Sequence, residues 1–579
     1  MEKKIIILGL IVSLLVGALF LFKEIKNNSK NLFYFSKSPE IASGVVPHHL
    51  LAEEIIEKFF NYIASKEKTE TIILLSPDHF NSGNFTEENQ LILPQKDTNE
   101  LNGIAIDKFL LEKIAENSEF TFNTSFVSFD QGITNLLPYI KKNFPETKIL
   151  PILIPAETKK EKIEKFIKTI DSFKKNQIVL ASTDFSHYLP KEVADFHDIK
   201  SINTLINFKE DDFERLEVDC WQCLYAARLF AQLKNKESPK IIAHKNSADL
   251  SGFDSDETTS YFSVVFEKEP SSLKENPENF QGKTILFVGD IMFDRGVEYQ
   301  MEKNNIFYPF QKIEPFLRGV DIVFGNLEGP IVETPRNFSD NSLMFAFNQN
   351  VIEALSFGNF NLLSLANNHT LNMGKIGLKE TREFLEKGNI FFAGDPISCS
   401  EDFLFKEDEK IILFALNKTF ASNCSNEEVI KKIKSIKLQY PYKFLIISVH
   451  WGTEYELENS IYQQELAHKI IDAGADLIIG HHPHVVQTIQ SYKGKLIFYS
   501  LGNFIFDQYF SKETQEELAV GLEIHPNKKV YRFFPIQSHL SQPYLMKGTK
   551  RNDFLESLAE RSEKELSEGI RKGIIELGI

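Results

Sequence analysis

The stretch ADLIIGHHPHVVQ, residues 475–487, places three histidines within four positions directly after a short apolar run. The apolar run is typical of a buried strand, and His481, His482 and His484 follow at the point where such a strand would end. An H-x-H spacing often occurs by chance, so this pattern by itself is a weak sign of a metal site. Its interpretation therefore depends on the residues at the ends of the other apolar runs in the same region.

Four further apolar runs in this region also end in side chains that can bind metals. TILFV (284–288) leads to Asp290, DIVF (321–324) to Asn326 and Glu328, LLSLA (362–366) to Asn367, Asn368 and His369, and FLIISV (444–449) to His450. In open α/β sheets, functional sites form where the carboxyl ends of strands meet. Carboxylate and imidazole groups suit Mn²⁺, Fe or Zn²⁺. We therefore predict an α/β domain with a metal site, whose mixed ligand set would fit two ions that share a carboxylate.

Six motifs occur in order through this region: GDIMFDRG (289–296), GNLEGPIVE (325–333), ANNHTLNMG (366–374), VHWGTEY (449–455), GHHPHVVQ (480–487) and YSLGNFIFD (499–507). Together they resemble the CapA family of capsule, or poly-γ-glutamate, synthesis proteins, which has a calcineurin-like metallophosphoesterase fold. Two positions depart from phosphoesterases. Met292 stands where these enzymes have the histidine of a D-x-H motif, and Asn372 stands where an aspartate is expected.

The resemblance implies roles for individual residues. It implies that the metal ligands are Asp290, Glu328 as the shared carboxylate, Asn368, His450, His482 and His484. It also implies that His369 protonates the leaving oxygen and that Arg295 faces an anionic substrate, since a guanidinium group grips phosphate or carboxylate well. Asn326 and Asn503 would line the pocket, and His481 would be a supporting residue. The implied cofactors are divalent ions of Mn, Fe or Zn.

The first half of the chain shows the same arrangement of polar residues after apolar runs. GVV (44–46) leads to His48 and His49, TIILLS (71–76) to Asp78 and His79, QIVLAS (177–182) to Asp184 and His187, and Cys220 follows Asp219. Two imidazoles and a thiolate would suit one ion of Fe, Cu or Zn. The simpler alternative is that His49 caps a helix and that Cys220 is a small buried apolar residue.

This half also carries a series of family motifs: VVPHH (45–49), LLSPDHF (74–80), LLPYI (136–140), ASTDFSHY (181–188), DCWQC (219–223) and SADLSGFDSDETTSYFSVVF (247–266). They resemble the MEMO-like family, also described as AmmeMemoRadiSam system protein B, whose fold is similar to that of class III extradiol dioxygenases. The resemblance implies that His48, His79 and Cys220 bind the metal and that Asp184 and His187 line its pocket. Family members often have Glu-His where Asp130 and Gln131 stand here.

The chain begins with an apolar segment, IIILGLIVSLLVGALFLF (5–22), that contains no charge. As a helix it would span about 27 Å, enough to cross a hydrocarbon core. It predicts a single-pass cell-membrane protein with both domains outside the cytoplasm, and a cleaved signal peptide remains the alternative. The predicted divisions are a membrane anchor and stalk (1–37), a MEMO-like domain (38–266), a linker (267–283), a CapA-like domain (284–540) and a C-terminal helical extension (541–579). The predicted fold class is α/β: a transmembrane helix, a MEMO-like domain and a calcineurin-like αββα sandwich.

The composition restricts the partners. With 65 Lys and Arg against 81 Asp and Glu, the net charge of −16 argues against binding to nucleic acid. Four cysteines are too few for a disulfide scaffold, although Cys220 and Cys223 form an isolated C-x-x-C that could be a redox pair. The leading hypothesis is a membrane-anchored envelope protein that acts on an anionic polymer or phosphorylated envelope precursor, together with other capsule-synthesis membrane proteins. A metal-binding assembly module and an iron-dependent redox enzyme are the two alternatives.

Overall fold

The computed structural model describes eleven ranges of the chain: residues 40–66, 68–81, 90–116, 120–173, 175–252, 256–268, 282–335, 343–399, 403–404, 411–419 and 424–578. These residues form two compact units. The first contains the residues up to 183 together with 222–243 and 262–273. The second contains 184–221, 244–261 and the residues from 274 onward. Residues 269–281, most of the predicted linker, lie outside the described ranges.

The prediction of a transmembrane helix needs correction. In the described ranges, no helix combines the length and the apolar character needed to cross a bilayer. The longest of these helices, Lys191–Asn207, has 17 residues and would span about 25 Å, and it contains lysine, glutamate and aspartate. The fold class with a transmembrane helix, and the single-pass location drawn from it, are therefore wrong. Residues 5–22, to which the helix was assigned, lie outside the described residues.

The first half of the chain contains a mixed sheet flanked by helices. Its strands are β1 (Ile41–Val46), β2 (Thr71–Pro77), β3 (Leu91–Leu93), β4 (Glu100–Leu101), β5 (Ile104–Ala105), β6 (Phe120–Phe122), β7 (Lys148–Ile154), β8 (Gln177–Ser182), β9 (Phe185–Leu189), β10 (Ser238–Asn246) and β11 (Thr258–Glu267). Its helices are α1 (Glu53–Lys66), α2 (Lys108–Ala115), α3 (Thr124–Phe129), α4 (Gln131–Thr134), α5 (Leu137–Asn143), α6 (Lys160–Ser172), α7 (Lys191–Asn207), α8 (Trp221–Leu233) and α9 (Ser247–Ser251).

The order of these strands explains where polar side chains meet. The main path of the sheet is β10-β11-β1-β8-β2-β7-β3-β6. Strand β8 runs parallel to both β1 and β2, and all three are buried throughout, as expected for central strands covered on both faces. The carboxyl ends of β1, β8 and β2 therefore lie side by side, which brings the residues that follow Val46, Pro77 and Ser182 close together.

The second half of the chain contains two main sheets, with nine and six strands. Its strands are β12 (Lys283–Ile291), β13 (Ile322–Leu327), β14 (Ile331–Val332), β15 (Phe347–Asn348), β16 (Leu362–Ser364), β17 (Phe391–Ala393), β18 (Phe403–Leu404), β19 (Ile411–Asn417), β20 (Phe444–His450), β21 (Leu477–His481), β22 (Ile489–Tyr492), β23 (Lys495–Phe498), β24 (Asn503–Ile505), β25 (Glu516–Ile524), β26 (Lys528–His539), β27 (Gln542–Leu545) and β28 (Ile574–Gly578). Its helices are α10 (Arg295–Lys303), α11 (Glu314–Arg318), α12 (Val351–Phe357), α13 (Gly374–Lys387), α14 (Asn426–Gln439), α15 (Ile461–Asp472), α16 (Gly548–Arg561) and α17 (Ser567–Lys572).

Alternation along the strands builds a sandwich of two sheets between helices. One sheet follows the path β17-β16-β13-β12-β25-β26-β27 and the other β18-β19-β20-β21-β23-β22. On β12, Ile285 and Phe287 belong to a core that also contains Phe444 and Ile446 of β20, between the sheets. The alternate β12 residues belong to a different core, on the outer face, with residues of α10 to α13. Helices α14 and α15 cover the outer face of the second sheet. Because successive side chains point to opposite faces of a strand, each sheet has two buried faces.

Helix α7 packs within the second unit, although its sequence lies in the first half of the chain. Phe196 is fully buried in the outer core of that unit, 5.5 Å from the ring of Phe534. The buried Lys200 ammonium donates to the carbonyls of Arg215, Arg318 and Val320 at 2.7, 2.9 and 2.9 Å. Burial lowers the pKa of Lys200 to about 8. Three carbonyl partners satisfy the three hydrogens of the ammonium group, so this buried charge fits its surroundings.

Candidate metal centres

The second unit brings the ends of both sheets together at one site. Asp290, near the end of β12, is in register with Asn326 of β13 and with Asn503 of β24. On the facing sheet, His450 at the end of β20 is in register with His481 at the end of β21. Parallel neighbours end at the same edge, so ligands that are far apart in sequence become adjacent here.

Asp290, Glu328 and His450 surround the amide of Asn326. The Asn326 Nδ2 group donates to Asp290 Oδ1 at 2.9 Å and to Glu328 Oε1 at 3.2 Å. His450 Nε2 lies 2.7 Å from Asn368 Oδ1 and 3.5 Å from Glu328 Oε1. Asp290, Glu328 and His450 are each at most 1% exposed. The two carboxylates and the imidazole therefore form one buried polar cluster around this amide.

The orientation of His484 is fixed by Asn503. The Asn503 amide nitrogen donates to Gln508 Oε1 and to the Thr514 carbonyl, so its Oδ1 atom is the acceptor for His484 Nδ1 at 2.9 Å. His484 therefore carries its hydrogen on Nδ1 and presents the lone pair of Nε2. An imidazole whose other nitrogen donates to an amide or carboxylate is oriented as metal-ligating histidines usually are.

The histidine triplet adopts an unusual backbone. His482 and His484 have φ values of 98° and 58°, in the left-handed region that few residues other than glycine occupy. The His482 amide donates to Asp290 Oδ2 at 3.2 Å. Backbone strain of this kind persists only where surrounding contacts enforce it, and it concentrates at functional sites. His481, expected to be a supporting residue, is buried with Nδ1 at 3.3 Å from Asp290 Oδ1.

Burial sets the protonation states in the cluster. Burial and the charge of Asp290 raise the pKa of Glu328 well above its usual value. Burial would also raise the pKa of Asp290, but hydrogen bonds from His481 and His484 outweigh it and lower that pKa well below its usual value. Burial lowers the pKa of His450 well below its usual value and the pKa of His482 to about 4. The two imidazoles are therefore neutral near pH 7, the form that binds metals.

The donor set fits a divalent metal. Asp290, Glu328 and His484 each offer a ligand atom within 4.8 Å of the other two. Among the described residues, Glu328 Oε2, His481 Nε2 and His482 Nδ1 are buried without a hydrogen-bond partner. Buried polar atoms without partners are costly, and a cation beside them would remove that cost. Met292 does not contribute, because it is fully buried and its sulfur accepts the Asp294 amide at 2.9 Å.

The two residues expected to act on substrate border this cluster. His369 Nδ1 donates to Asn372 Oδ1 at 3.2 Å, and the Phe345 amide donates to the same oxygen at 2.8 Å. Nε2 of His369 is then the atom that can exchange a proton with a substrate. Burial lowers the pKa of His369 to about 4. The Arg295 guanidinium forms an ion pair with Asp507 and lies 4.9 Å from the centre of the Phe345 ring.

In the first unit, His48 and His79 meet with their Nε2 atoms 3.1 Å apart. His79 Nδ1 donates to the Asp130 carboxylate at 3.0 Å. The Ser182 hydroxyl gives its hydrogen to the Gly132 carbonyl, so it accepts from His48 Nδ1 at 3.1 Å. Both rings therefore present Nε2 lone pairs to each other, and two lone pairs at this distance repel unless a cation or proton lies between them. This pair suits one metal ion.

Sequence reasoning missed the orienting residues of this pair. In the sequence, Asp130 is noticeable only because it stands where family members often have Glu-His. In the structure, the Asp130 carboxylate is fully buried and also accepts hydrogen bonds from the His79 and Gly132 amides at 3.1 and 2.9 Å. Ser182, the last residue of β8, is by sequence only part of a strand. The one available signal was that the carboxyl ends of β1, β8 and β2 had to converge, which makes Ser182 a neighbour of both histidines.

The other residues of the first half that were expected to act include a second group of possible ligands. In the second unit, Asp184, His187 and Asp219 offer ligand atoms within 4.8 Å of one another, and the Asp184 amide donates to Asp219 Oδ2 at 3.0 Å. Cys220 is disulfide-bonded, so in this oxidised form it offers no thiolate. The His49 side chain accepts from the Leu51 amide and caps a short 3₁₀ helix, which was the simpler of its two interpretations. Cys399 and Cys424 form a further disulfide that the sequence did not predict.

Replacing Asp130 by asparagine is expected to weaken metal binding at the His48–His79 pair by roughly 10- to 100-fold, because the carboxylate that fixes the His79 tautomer is lost. The measurement is Zn²⁺ affinity by calorimetry in a full chain that also carries Glu328→Gln, so that the second site contributes little. Asp97→Asn, at an exposed position, is the matched control. Equal affinities in the two variants would contradict an orienting role for Asp130.

Comparison with known proteins gives two family matches in chain order. Residues 22–265 match the model of the Memo-like protein family, and residues 284–508 match that of the bacterial capsule synthesis protein PGA_cap. A relative named MEMO1 family protein, from Sulfurisphaera tokodaii, is 26% identical over 261 residues, which are 42% of this chain and 84% of that protein.

Two relatives of the second half come from Bacillus species. The capsule biosynthesis protein CapA of Bacillus anthracis is 32% identical over 266 residues, which are 42% of this chain and 64% of that protein. The PGA biosynthesis protein CapA of Bacillus subtilis is 32% identical over 275 residues, which are 44% of this chain and 72% of that protein. The chain thus spans less than two thirds of the first of these proteins.

Proposed function

Because the chain belongs to the family of bacterial capsule synthesis proteins and carries a Memo-like domain ahead of that region, we propose that it acts in making or attaching an anionic, capsule-type polymer. Its substrate would be a poly-γ-glutamate-like polymer or a phosphorylated precursor. One observation carries the proposal: two buried carboxylates and neutral imidazoles converge next to an arginine, an arrangement suited to holding a metal and an anion together.

The proposed reaction is metal-dependent hydrolysis or transfer at a phosphoryl or acyl group. Divalent ions of Mn, Fe or Zn held there would supply positive charge for a developing oxyanion and would make water more acidic. Asp290, Glu328, Asn368, His450, His482 and His484 would hold them. Asn326 keeps the two carboxylates in place, and Asn503 keeps the tautomer of His484.

Arg295 and His369 would act directly on substrate. Asp507 and the Phe345 ring hold the Arg295 side chain, so that little conformational freedom is lost when its guanidinium pairs with a phosphate or carboxylate. His369 keeps its Nδ1 hydrogen on Asn372, so its neutral ring would accept a proton from water at Nε2 and then give that proton to the leaving oxygen.

Replacing His369 by alanine tests this proposal. The full chain, loaded with Mn²⁺, is expected to hydrolyse an aryl phosphate ester, and His369→Ala is expected to lower kcat by roughly 100-fold, since proton transfer to the leaving oxygen is lost. Metal content should stay unchanged, because the substitution leaves the ligand set intact. His539→Ala, at an exposed position, is the control and should match the original chain. If the original chain shows no hydrolysis, or the His369 variant is equally active, the phosphoesterase activity is excluded.

A second candidate function is a metal-holding module that grips or positions the polymer without cleaving it. Met292 favours this candidate, because a buried thioether engaged with the Asp294 amide replaces an imidazole that phosphoesterases use as a ligand. Metal binding without hydrolysis in the experiment above would support it.

For the first unit, we propose binding of one Fe, Cu or Zn ion by His48 and His79. Support comes from the Asp130 and Ser182 hydrogen bonds, which leave both Nε2 lone pairs facing the same point. Redox use of such an ion would appear as iron-dependent oxygen uptake by the full chain, and its absence after iron loading would exclude that use.

A further inference from the structure

The loop after β20 is held over the histidine triplet in a strained conformation. Gly452 and Tyr455 have φ values of 94° and 66°. The Tyr455 amide donates to the Pro483 carbonyl at 2.8 Å, which attaches the loop to the triplet. The Gln487 side chain donates to the carbonyls of Glu456 and Glu458 at 2.9 and 3.1 Å. A left-handed tyrosine held by these contacts indicates that the position of its neighbour Glu454 is enforced.

Glu454 is an exposed residue whose carboxylate is turned toward the buried site. Its carboxylate and a ring nitrogen of each of His482 and His484 all lie within 4.8 Å of one another. One carboxylate and two imidazoles therefore face the same volume, and both histidines already belong to the expected ligand set.

The site also lacks a donor on its buried side. In metallophosphoesterases a D-x-H histidine supplies an imidazole there, but Met292 is fully buried and its sulfur is engaged with the Asp294 amide. Divalent transition metals need at least three or four protein donors for firm binding. A carboxylate that approaches from the solvent-exposed side can supply the missing donor.

We propose that Glu454 is a metal ligand, which binds one ion together with His482 and His484 and supplies the donor that Met292 does not. This inference rests on the metal-dependent function proposed above. Because Glu454 reaches the ion from the solvent side, an anionic group of the substrate can take its place without disturbing the buried ligands. The residue would then act as an exchangeable ligand, which favours carboxylate and phosphate substrates over neutral ones.

The test is metal binding by the full chain, with Mn²⁺ as the probe. Mn²⁺ affinity and stoichiometry are measured by calorimetry, with metal content after gel filtration as a second readout. Glu454→Gln is expected to weaken one Mn²⁺ site by about tenfold or more, as loss of a carboxylate ligand requires. Glu456→Gln makes the same change of charge two residues away, at an exposed side chain outside this cluster, and is expected to bind Mn²⁺ like the original chain.

The outcomes separate this inference from the proposed function. If Glu454→Gln and Glu456→Gln both bind Mn²⁺ like the original chain while His484→Ala loses it, the metal centre stands and the role of Glu454 is excluded. If the original chain itself takes up no Mn²⁺, the proposed metal-dependent function fails, and this inference fails with it. If Glu454→Gln binds Mn²⁺ more weakly while Glu456→Gln binds it like the original chain, the result supports both the proposed metal centre and the role of Glu454.

Discussion

Replacing Glu328 by glutamine is expected to empty the metal centre of the second unit and to reduce hydrolysis of a phosphate ester to background. Glu328 is fully buried, with one oxygen 3.2 Å from the Asn326 amide nitrogen and the other without a partner among the described residues. It is also the carboxylate expected to bind both ions. Its replacement should therefore weaken metal binding by more than the roughly 10- to 100-fold typical of an orienting residue.

The same substitution should leave the metal-free fold intact or make it more stable. Glutamine has nearly the same shape, and it removes a buried carboxyl that burial and Asp290 disfavour in its charged form. The measurements are metal content, kcat, and the midpoint of thermal unfolding with and without Mn²⁺. Mn²⁺ should raise the midpoint of the original chain and have little effect on the variant, since a ligand stabilises only a fold that binds it.

Glu517→Gln is the matched control. Glu517 is also fully buried, neither of its carboxylate oxygens has a hydrogen-bond partner in the described part of the chain, and burial raises its pKa well above its usual value. The ligand groups found in the described residues do not include it. It should keep metal and activity. If Glu328→Gln keeps them as well, Glu328 is not a ligand and the proposed site is wrong.

Replacing Phe196 by alanine is expected to destabilise the second unit by about 3–5 kcal/mol, the usual cost of removing a fully buried phenyl ring. The ring packs in the outer core of the sandwich, 5.5 Å from Phe534, although the residue lies within the Memo-like match. Denaturant unfolding, followed together with Mn²⁺ binding at the second site, measures the effect. Loss of metal binding should coincide with unfolding of this unit.

Phe129→Ala provides the comparison, because this phenylalanine is 74% exposed and its removal should cost well under about 1 kcal/mol. If Phe196→Ala costs no more than Phe129→Ala, helix α7 does not contribute to the core of the second unit. The same packing predicts that a fragment beginning near residue 282 would expose the apolar surface that Phe196 covers. Experiments on the second site should therefore use the full chain.

The chemistry of the candidate ligands could be read from the sequence because it is local. A short apolar run followed by Asp290, Asn326, Glu328 or His450 indicates both a strand and the polar group at its end. Parallel strands then bring such ends to one edge, so the convergence of these side chains was predictable without distances. The histidine triplet belonged to the same pattern.

The partners of those ligands could not be read in the same way. Asp130 orients His79 across 51 residues, and strand register places Asn503 beside Asp290, far from it along the chain. No sequence motif marks either pair of residues. Contacts of this kind depend on how the strands are ordered in the sheet. Hydropathy alone predicted a transmembrane helix at residues 5–22, which lie outside the described residues, and no described helix is long and apolar enough to cross a membrane.

The amino-acid sequence by itself determined the family motifs, the strand-and-helix alternation and the kinds of donor atom at the ends of strands, because each of these follows from residues close together along the chain. Only the tertiary structure decided that Met292 turns into the core, that Glu454 lies beside His482 and His484, and that Phe196 packs with the second unit. These three features depend on the direction of side chains and on contacts between segments that are distant in the sequence. Such contacts form only when the whole unit has folded.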